Sequence, residues 1–172
     1  FGSYGFRDGE SGAFYRLPND ARNVQSIYPN GFLPQIASTI WDYSWLMGVG
    51  GDLSGWRWDL STVYGGNQFT FKVNNSNNAT QFAQGANAQT SFNSGDITFN
   101  QLTTNAVVSK DLGKALGLTS FNVAFGGEAR LDDYRIGAGE EASWRNFDPA
   151  SGRAGGAQVF PGFQPSNAIR AT

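Results

Sequence analysis

The fold is decided by residues 56–73, which read WRWDLSTVYGGNQFTFKV. An apolar or aromatic side chain alternates with a polar or small one along the stretch. This period of two indicates an extended strand with two unlike faces. The stretch is longer than an ordinary strand of about 5–6 residues. It is long enough to cross a bilayer, which a tilted strand does in about 9–11 residues. The apolar parity holds Trp56, Trp58, Leu60, Thr62 and Tyr64, and the other parity holds Arg57, Asp59, Ser61, Gly65 and Asn67.

The flanking sequence predicts further strands that pair with this one. Residues 38–53 alternate in the same way and lead through the short turn 53–55 into it, which is the pattern of a hairpin. We also expect strands at about residues 1–7, 97–112 and 118–136, the last two joined by the short connection 113–117. Polar segments rich in turn-forming residues predict long loops at 8–37, 74–96 and 137–172.

The fold class predicted from this order is all-β. We expect residues 1–172 to form one antiparallel meander of long strands, with long polar loops at one end and short turns at the other. This rhythm is typical of part of a transmembrane-type β-barrel wall. A soluble sandwich would show shorter strands, with turn signals about every 8–12 residues.

Composition excludes several classes of protein. The net charge of −2 gives no electrostatic reason to expect nucleic acid as a partner. The chain has no cysteine and no histidine, so we expect no disulfide framework, no thiolate or imidazole metal site and no imidazole base. Because no nucleophile and base are paired in the sequence either, we predict neither an enzyme nor a bound cofactor.

Three sets of residues are candidates for function. Aromatic residues on the apolar parity predict girdles at the two rims of a membrane-facing band, and they are Trp41, Tyr43, Trp45, Trp56, Trp58 and Tyr64. The opposite parity predicts lumen-facing polar residues, arranged as a ladder of ion pairs, and these are Arg57, Asp59, Glu128 and Arg130. Aromatic residues of the loops are candidates for contact with an extracellular ligand or for anchoring the loops to one another: Phe14, Tyr15, Phe32, Trp144 and Phe160.

The loop at 74–96 contains two matches to the N-glycosylation sequon, Asn74-Asn75-Ser76 and Asn78-Ala79-Thr80. The surrounding run is rich in asparagine, and such a run matches a short pattern often. We therefore interpret both matches as chance.

Several segments resemble the β-barrel of TonB-dependent outer-membrane receptors. They are the stretches RDGESGAFYR at 7–16, YPNGFLP at 28–34, GWRWDLS at 55–61 with Tyr64-Gly65 and Asn74-Asn75-Ser76, FGGEAR at 125–130 with Tyr134-Arg135-Ile136, and GAQVFPGF at 156–163. The resemblance implies a parent protein in the outer membrane of a Gram-negative bacterium that imports a scarce nutrient such as a siderophore, cobalamin or a sugar. Barrels of this family have about 22 strands and a plug. The sequence shows no recognisable plug or TonB-binding segment and only about five strands. We therefore expect a fragment of such a receptor.

Two alternatives remain open at this stage. In the first, copies of the chain associate through their strand edges into a tube or filament, so that the partner is the chain itself rather than the rest of a barrel or the outer membrane. In the second, the chain is a secreted soluble β-domain that binds carbohydrate or a surface. The chain opens at Phe1 without an initiator methionine or a signal peptide, which favours a piece of a longer polypeptide.

Overall fold

A computed structural model describes residues 1–114 and 117–171. Strands in the order β1-β2-β3-β4-β5-β6 form one antiparallel meander, in which each strand pairs with its sequence neighbours. The all-β prediction is confirmed. The strands are β1 (Gly2–Gly12), β2 (Gln35–Leu53), β3 (Trp56–Asn74), β4 (Phe92–Asp111), β5 (Asn122–Gly137) and β6 (Ile169–Ala171).

The main errors of boundary lie at the first strand, at β4, which begins at Phe92 rather than at about residue 97, and at the last strand. The glycine-rich segment 8–12 was expected to end the first strand, but β1 runs on to Gly12 because it stays in register with β2, from Asp8 opposite Thr39 onward. The short strand β6 was placed inside the third loop. It pairs with only three residues of β5, which is too short a segment to leave a periodic signal in sequence.

The β2–β3 hairpin turns where the sequence predicts it. Only Ser54 and Gly55 separate the paired residues Leu53 and Trp56, and both turn residues have positive φ, 53° and 77°. A two-residue turn with this conformation matches the right-handed twist of the strands it joins. This turn therefore fixes the register between β2 and β3.

The connection between β4 and β5 is longer than the predicted segment 113–117. The strands stop at Asp111 and resume at Asn122, and backbone bonds join Leu112 to Phe121 and Phe121 to Gly113. Residues 115 and 116 of the predicted segment lie outside the described residues. Together with the β2–β3 turn, this connection forms what we call the turn end of the sheet.

The opposite end, the loop end, carries the three long connections 13–34, 75–91 and 138–168. They pack on one another as a loop cap and contain short helical segments at Ala79–Asn87, Glu141–Trp144, Pro149–Ser151 and Pro165–Asn167. None of the helices in the described ranges is long and apolar enough to cross a membrane.

The two faces of the sheet differ, and pairing across four strands identifies them. Trp45 lies opposite Tyr64, Tyr64 opposite Leu102, and Leu102 opposite Leu131, so these residues share one face. We call it the band face. The other face, the cap face, carries Arg57, Asp59 and Phe71, and the loop cap folds over its loop end, where Phe71 contacts Phe160 and Phe163.

A β-bulge prepares the cap face for the loops. Phe71 pairs with Gly95 but Lys72 pairs with Asn93, so Ser94 is an extra residue in β4. The extra residue reverses the parity of the strand and brings Phe92 opposite Val73, on the cap face. The backbone of Ser94 is then free to accept from the Phe163 N–H, which fastens the third connection to the sheet.

Burial is confined to the loop end. The apolar core contains Val73, Phe92 and Ala157, with partly buried Ala142, Val159 and Phe160 against it. By contrast, no residue at 41–72 and no described residue between 96 and 137 is buried. Within the described part of the chain, most of the sheet therefore has no layer packed on either face.

Candidate functional site

The most distinctive surface of the sheet is a belt of apolar side chains on the band face, which we call the apolar band. Its residues come from four adjacent strands that the register brings level with one another. They are more exposed than a water-soluble fold usually leaves large apolar groups, with relative exposures from 38% for Leu102 to 70% for Met47. The apolar band consists of Met47, Val49, Leu60, Leu102, Ala106, Val108, Phe125 and Leu131.

Aromatic residues border the apolar band on both sides. Trp56 and Trp58 lie toward the turn end, whereas Trp45 and its partner Tyr64 lie toward the loop end. Trp41 and Tyr43 continue this second border, and all six predicted girdle residues share the band face. Trp41, Tyr43 and Trp45 lie in the middle of β2, because this strand begins at Gln35 rather than at about residue 38.

Two further aromatic residues belong to the loop-end border and were missed from sequence. Tyr4 and Phe6 of β1 lie opposite Tyr43 and Trp41. Their rings contact Trp41 with centroid distances of 5.6 and 4.5 Å. The alternation of Gly2, Tyr4 and Phe6 was the available signal, but three positions are too few to establish a period of two.

The four predicted lumen-facing residues lie together on the cap face, where register places Arg57 and Asp59 on β3 and Glu128 and Arg130 on β5. The predicted ladder of ion pairs is wrong: within the described residues neither of these pairs forms a salt bridge. Arg130 instead contacts Asp132 at 3.1 Å, whose carboxylate also accepts from Gln101. All four predicted side chains are exposed, and water weakens such ion pairs.

The loop aromatics separate into two groups. Phe14 and Tyr15 are exposed and remain available to a ligand. Phe32 is buried and stacks on Tyr28 at a centroid distance of 4.4 Å. The Trp144 Nε1–H donates to the Gly139 carbonyl, and Phe160 packs against the core. These last three residues anchor the loops, which is one of the two roles considered for them.

The loop cap is held together by one buried side chain above all others. The Asn78 Oδ1 accepts from the backbone N–H and the hydroxyl of Thr80. Its Nδ2 donates to the carbonyls of Ala142 and Arg145 at 2.9 and 2.8 Å. Asn78 is fully buried, so its nitrogen is not accessible to a glycan, and this sequon match serves instead to join the second connection to the third.

The first connection is tied to the second through Tyr28. Its hydroxyl donates to the Ser76 carbonyl at 3.1 Å, and burial raises the pKa of the phenol. The neutral, donating form is therefore the one that the cap holds. Asn75 Nδ2 adds a second link to the Leu33 carbonyl at 2.8 Å.

The band face becomes polar at its loop-end border, since Asp133 lies in the row of Tyr43 and Arg135 in the row of Trp41. Two ion pairs lie there, between Arg135 and Asp96 at 3.1 Å and between Arg170 and Asp133 at 2.8 Å. On the same strands the cap face shows the reverse change, from polar side chains near the turn end to apolar ones near the loops. Those apolar side chains are Ile40, Phe69, Phe71, Ile97, Phe99, Tyr134 and Ile136.

In comparison with known proteins, no family, no curated protein and no solved structure matches the chain. Function must therefore be argued from the geometry. The sheet presents an exposed apolar belt with aromatic borders on one face and a polar surface of small and charged residues behind it. Such a surface is suited to separating an apolar phase from an aqueous one.

Proposed function

We propose that this chain forms part of the wall of an outer-membrane β-barrel of the TonB-dependent receptor kind, in a Gram-negative bacterium. The parent protein would import a scarce nutrient such as a siderophore, cobalamin or a sugar. The observation that carries the proposal is the apolar band, which four strands build in register between two aromatic borders. The receptor family itself is suggested by the sequence resemblance alone.

The apolar band together with its full loop-end border, up to Trp41, has a height that agrees with a bilayer. From the row of Trp58 to the row of Trp41, which pairs with Gln68, β3 advances ten residues, or about 33 Å along the strand. A strand tilted by about 40° covers about 25 Å of depth over that length, the height of the apolar band of outer-membrane barrels. The remaining residues of β3 would project beyond the membrane, and the ion pairs of the band face begin at the loop-end border.

The exchange of polar and apolar character between the faces supports the same arrangement. In the membrane segment the band face would meet lipid and the cap face would meet water inside the barrel. Beyond it the band face would meet water, while the cap face is covered by the loops. In water alone the loops would account for the apolar side chains of the cap face, but nothing would account for the exposed apolar band.

The proposal is tested by the depth of single tryptophans in lipid. The full chain is reconstituted into phosphatidylcholine vesicles, with every tryptophan but one replaced by phenylalanine. Brominated acyl chains should quench Trp58, which borders the apolar band, and should leave Trp144 of the loop cap unquenched. Equal quenching of the two, or quenching of neither, would overturn the proposal.

A second candidate function is self-assembly, and it is favoured by the two open edges of the sheet. β1 is paired on one side only. β6 covers only Tyr134–Ile136 of β5, which leaves the outer edge of Asn122–Asp133 unpaired in the described chain. Unpaired strands of this length are templates for another chain. β1 and β5 run in the same direction, so copies joined by these edges would pair in parallel.

The same samples distinguish this candidate from the first. Edge-to-edge assembly without lipid predicts a large sedimenting species in buffer, visible as tubes or filaments by electron microscopy, with both tryptophans unquenched by lipid. A secreted soluble β-domain predicts a monomer with both tryptophans unquenched. Only the barrel wall predicts selective quenching of Trp58.

A further inference from the structure

The loop cap contains a cleft where all three long connections meet. It has a volume of about 340 Å³, within the range of small-molecule sites. The first connection supplies most of the lining, the second supplies Phe82 and the third supplies Arg153. This cleft lies among the loops rather than on the sheet, so it is independent of the proposed membrane role.

A buried asparagine shapes the wall of the cleft. Asn23 is 3% exposed, and its Nδ2 donates to the carbonyls of Pro18 and Tyr28, each at 3.0 Å. These bonds fold the segment into a compact turn. Its Oδ1 is buried and has no hydrogen-bond partner among the described residues. A buried acceptor without a partner is energetically costly.

The cleft has one cationic side chain, Arg153, that is not paired with a carboxylate among the described residues. Arg153 lies over the Phe82 ring at 5.1 Å, and its Nη1 donates to the Asn23 carbonyl at 3.3 Å. No carboxylate lies within salt-bridge distance of it in the described part of the chain. The one carboxylate of the lining, Asp20, is already held by Arg22 through two side-chain bonds of 2.8 and 2.6 Å.

The charges of the neighbouring groups agree with Arg153 being the unpaired cation of the cleft. The bond from Arg22 lowers the pKa of Asp20 to about 2, so this carboxylate is ionised and already neutralised by its partner. Burial, followed by the charge of Arg22, lowers the pKa of Arg16, while the charge of Asp20 acts in the opposite direction. Arg153 is therefore left as an uncompensated cation that is already fixed in position by the Phe82 ring and the Asn23 carbonyl.

We propose that this cleft binds a small carboxylated polyol, of the size and chemistry of a sugar acid. The carboxylate would pair with Arg153, since a guanidinium is well suited to this group. The hydroxyls would meet the amide and hydroxyl side chains of the lining. Those side chains are Asn19, Asn23, Gln25 and Ser26.

The experiment uses D-glucuronate as the probe and titrates it calorimetrically into the full chain. D-glucose lacks the carboxylate and inorganic phosphate lacks the polyol, so each should bind at least tenfold more weakly than glucuronate. Arg153→Gln should weaken glucuronate binding by tenfold or more. No binding of glucuronate at millimolar concentration would overturn the proposal, and phosphate binding as tight as that of glucuronate would overturn recognition of the polyol.

Arg145 provides a matched control. It lies over the Phe147 ring at 5.3 Å, much as Arg153 lies over Phe82, but it forms an ion pair with Glu141 and is not part of the cleft. Arg145→Gln should leave the glucuronate affinity unchanged. An equal loss in both variants would show that binding does not depend on the cleft.

A second variant covers the case in which Arg153→Gln disturbs the fold. Ser26 is exposed and lines the cleft, and Ser26→Asp adds a negative charge there without removing a contact of the cap. It should weaken glucuronate binding by tenfold or more, because the added carboxylate repels the carboxylate of the probe. Unaltered glucuronate affinity in Ser26→Asp would overturn the site.

Discussion

The loop end and the turn end of this sheet differ in whether the chain covers the apolar side chains of its own strands. At the loop end the chain covers its own strands: Val73 and Phe92 lie in a core, and polar groups such as those of Asn78 and Ser94 are hydrogen-bonded across connections. At the turn end the same strands leave apolar residues such as Leu60 and Phe125 exposed. The apolar side chains of the loop end are covered by the chain itself, whereas those of the turn end depend on the surroundings of the protein.

The difference separates two sources of stability. Burial and hydrogen bonding inside the loop cap act in any solvent that keeps the protein folded. The apolar band is stabilised only where lipid, detergent or another chain removes its side chains from water, because the hydrophobic contribution follows the apolar area removed from water. Variants at the two ends should therefore respond differently to the environment, and four predictions use that contrast.

The largest effect is expected from Asn78→Ala. This change leaves the Thr80 N–H and the carbonyls of Ala142 and Arg145 without their partner in a buried setting. Several unsatisfied buried groups should lower the free energy of unfolding by about 3–5 kcal/mol. Urea unfolding would measure the loss, and hydrogen exchange should show it first in the loop cap.

Asn105→Ala is the control for this prediction. Asn105 lies on the sheet, opposite Ser61 and Glu128, and is not buried. A surface substitution of this kind should change stability by less than about 0.5 kcal/mol. A similar loss for both asparagines would mean that the loop cap is not the more self-sufficient end.

The second prediction concerns the turn end and depends on lipid. Leu60→Arg places a charge inside the apolar band and should destabilise the protein in a bilayer by about 2–4 kcal/mol. Val63→Arg places the same charge on the cap face, where Val63 lies between Leu46 and Thr103, and should cost much less. Unfolding of both variants in the same vesicles measures the difference, and an equal cost would contradict the assignment of the band face to lipid.

The contrast between the ends also explains which features the sequence predicts. Residues such as Trp58, Leu60 and Tyr64 lie on one face by strand geometry alone, so a period of two was sufficient to place them. The strand order followed from the alternation of tight and long connections. The loop cap could not be predicted in this way, because Asn78, Ser76 and Phe160 meet partners far away in sequence.

The bulge shows the limit of the same reasoning. Parity counted along β4 from Leu102 puts Phe92 on the band face, but the extra residue Ser94 moves it to the cap face and into the core. No residue type specifies a bulge by itself. Gly95, next to the extra residue, has a φ of 100°, which favours glycine. The cleft around Arg153 was missed for a related reason, since its lining comes from three separate connections.

The third prediction examines the tip of the turn end. Gly55 has a φ of 77°, and a side chain in that conformation costs about 1–2 kcal/mol. Gly55→Ala should therefore destabilise the hairpin by about 1 kcal/mol, whereas Ser54→Asn should stabilise it slightly because asparagine followed by glycine is the preferred pair for such a turn. Thermal unfolding in detergent measures both, and effects of the same sign would contradict the turn assignment.

The smallest expected effect is a pH dependence confined to the loop end. The hydrogen bonds from Arg22 lower the pKa of Asp20 from 3.8 to about 2 in the folded protein. The folded state therefore binds this proton less readily than the unfolded state, and the contribution to stability is present above pH 4 and is lost as the pH falls from about 4 to about 2. Because the pair is exposed, the change should be small.

Hydrogen exchange of the first connection between pH 5 and pH 2 measures this change. Asp20→Asn should remove this part of the acid response, while Asp52→Asn at the turn end should retain it. A loss of the response in both variants would show that acid acts on the sheet as a whole rather than on the loop cap.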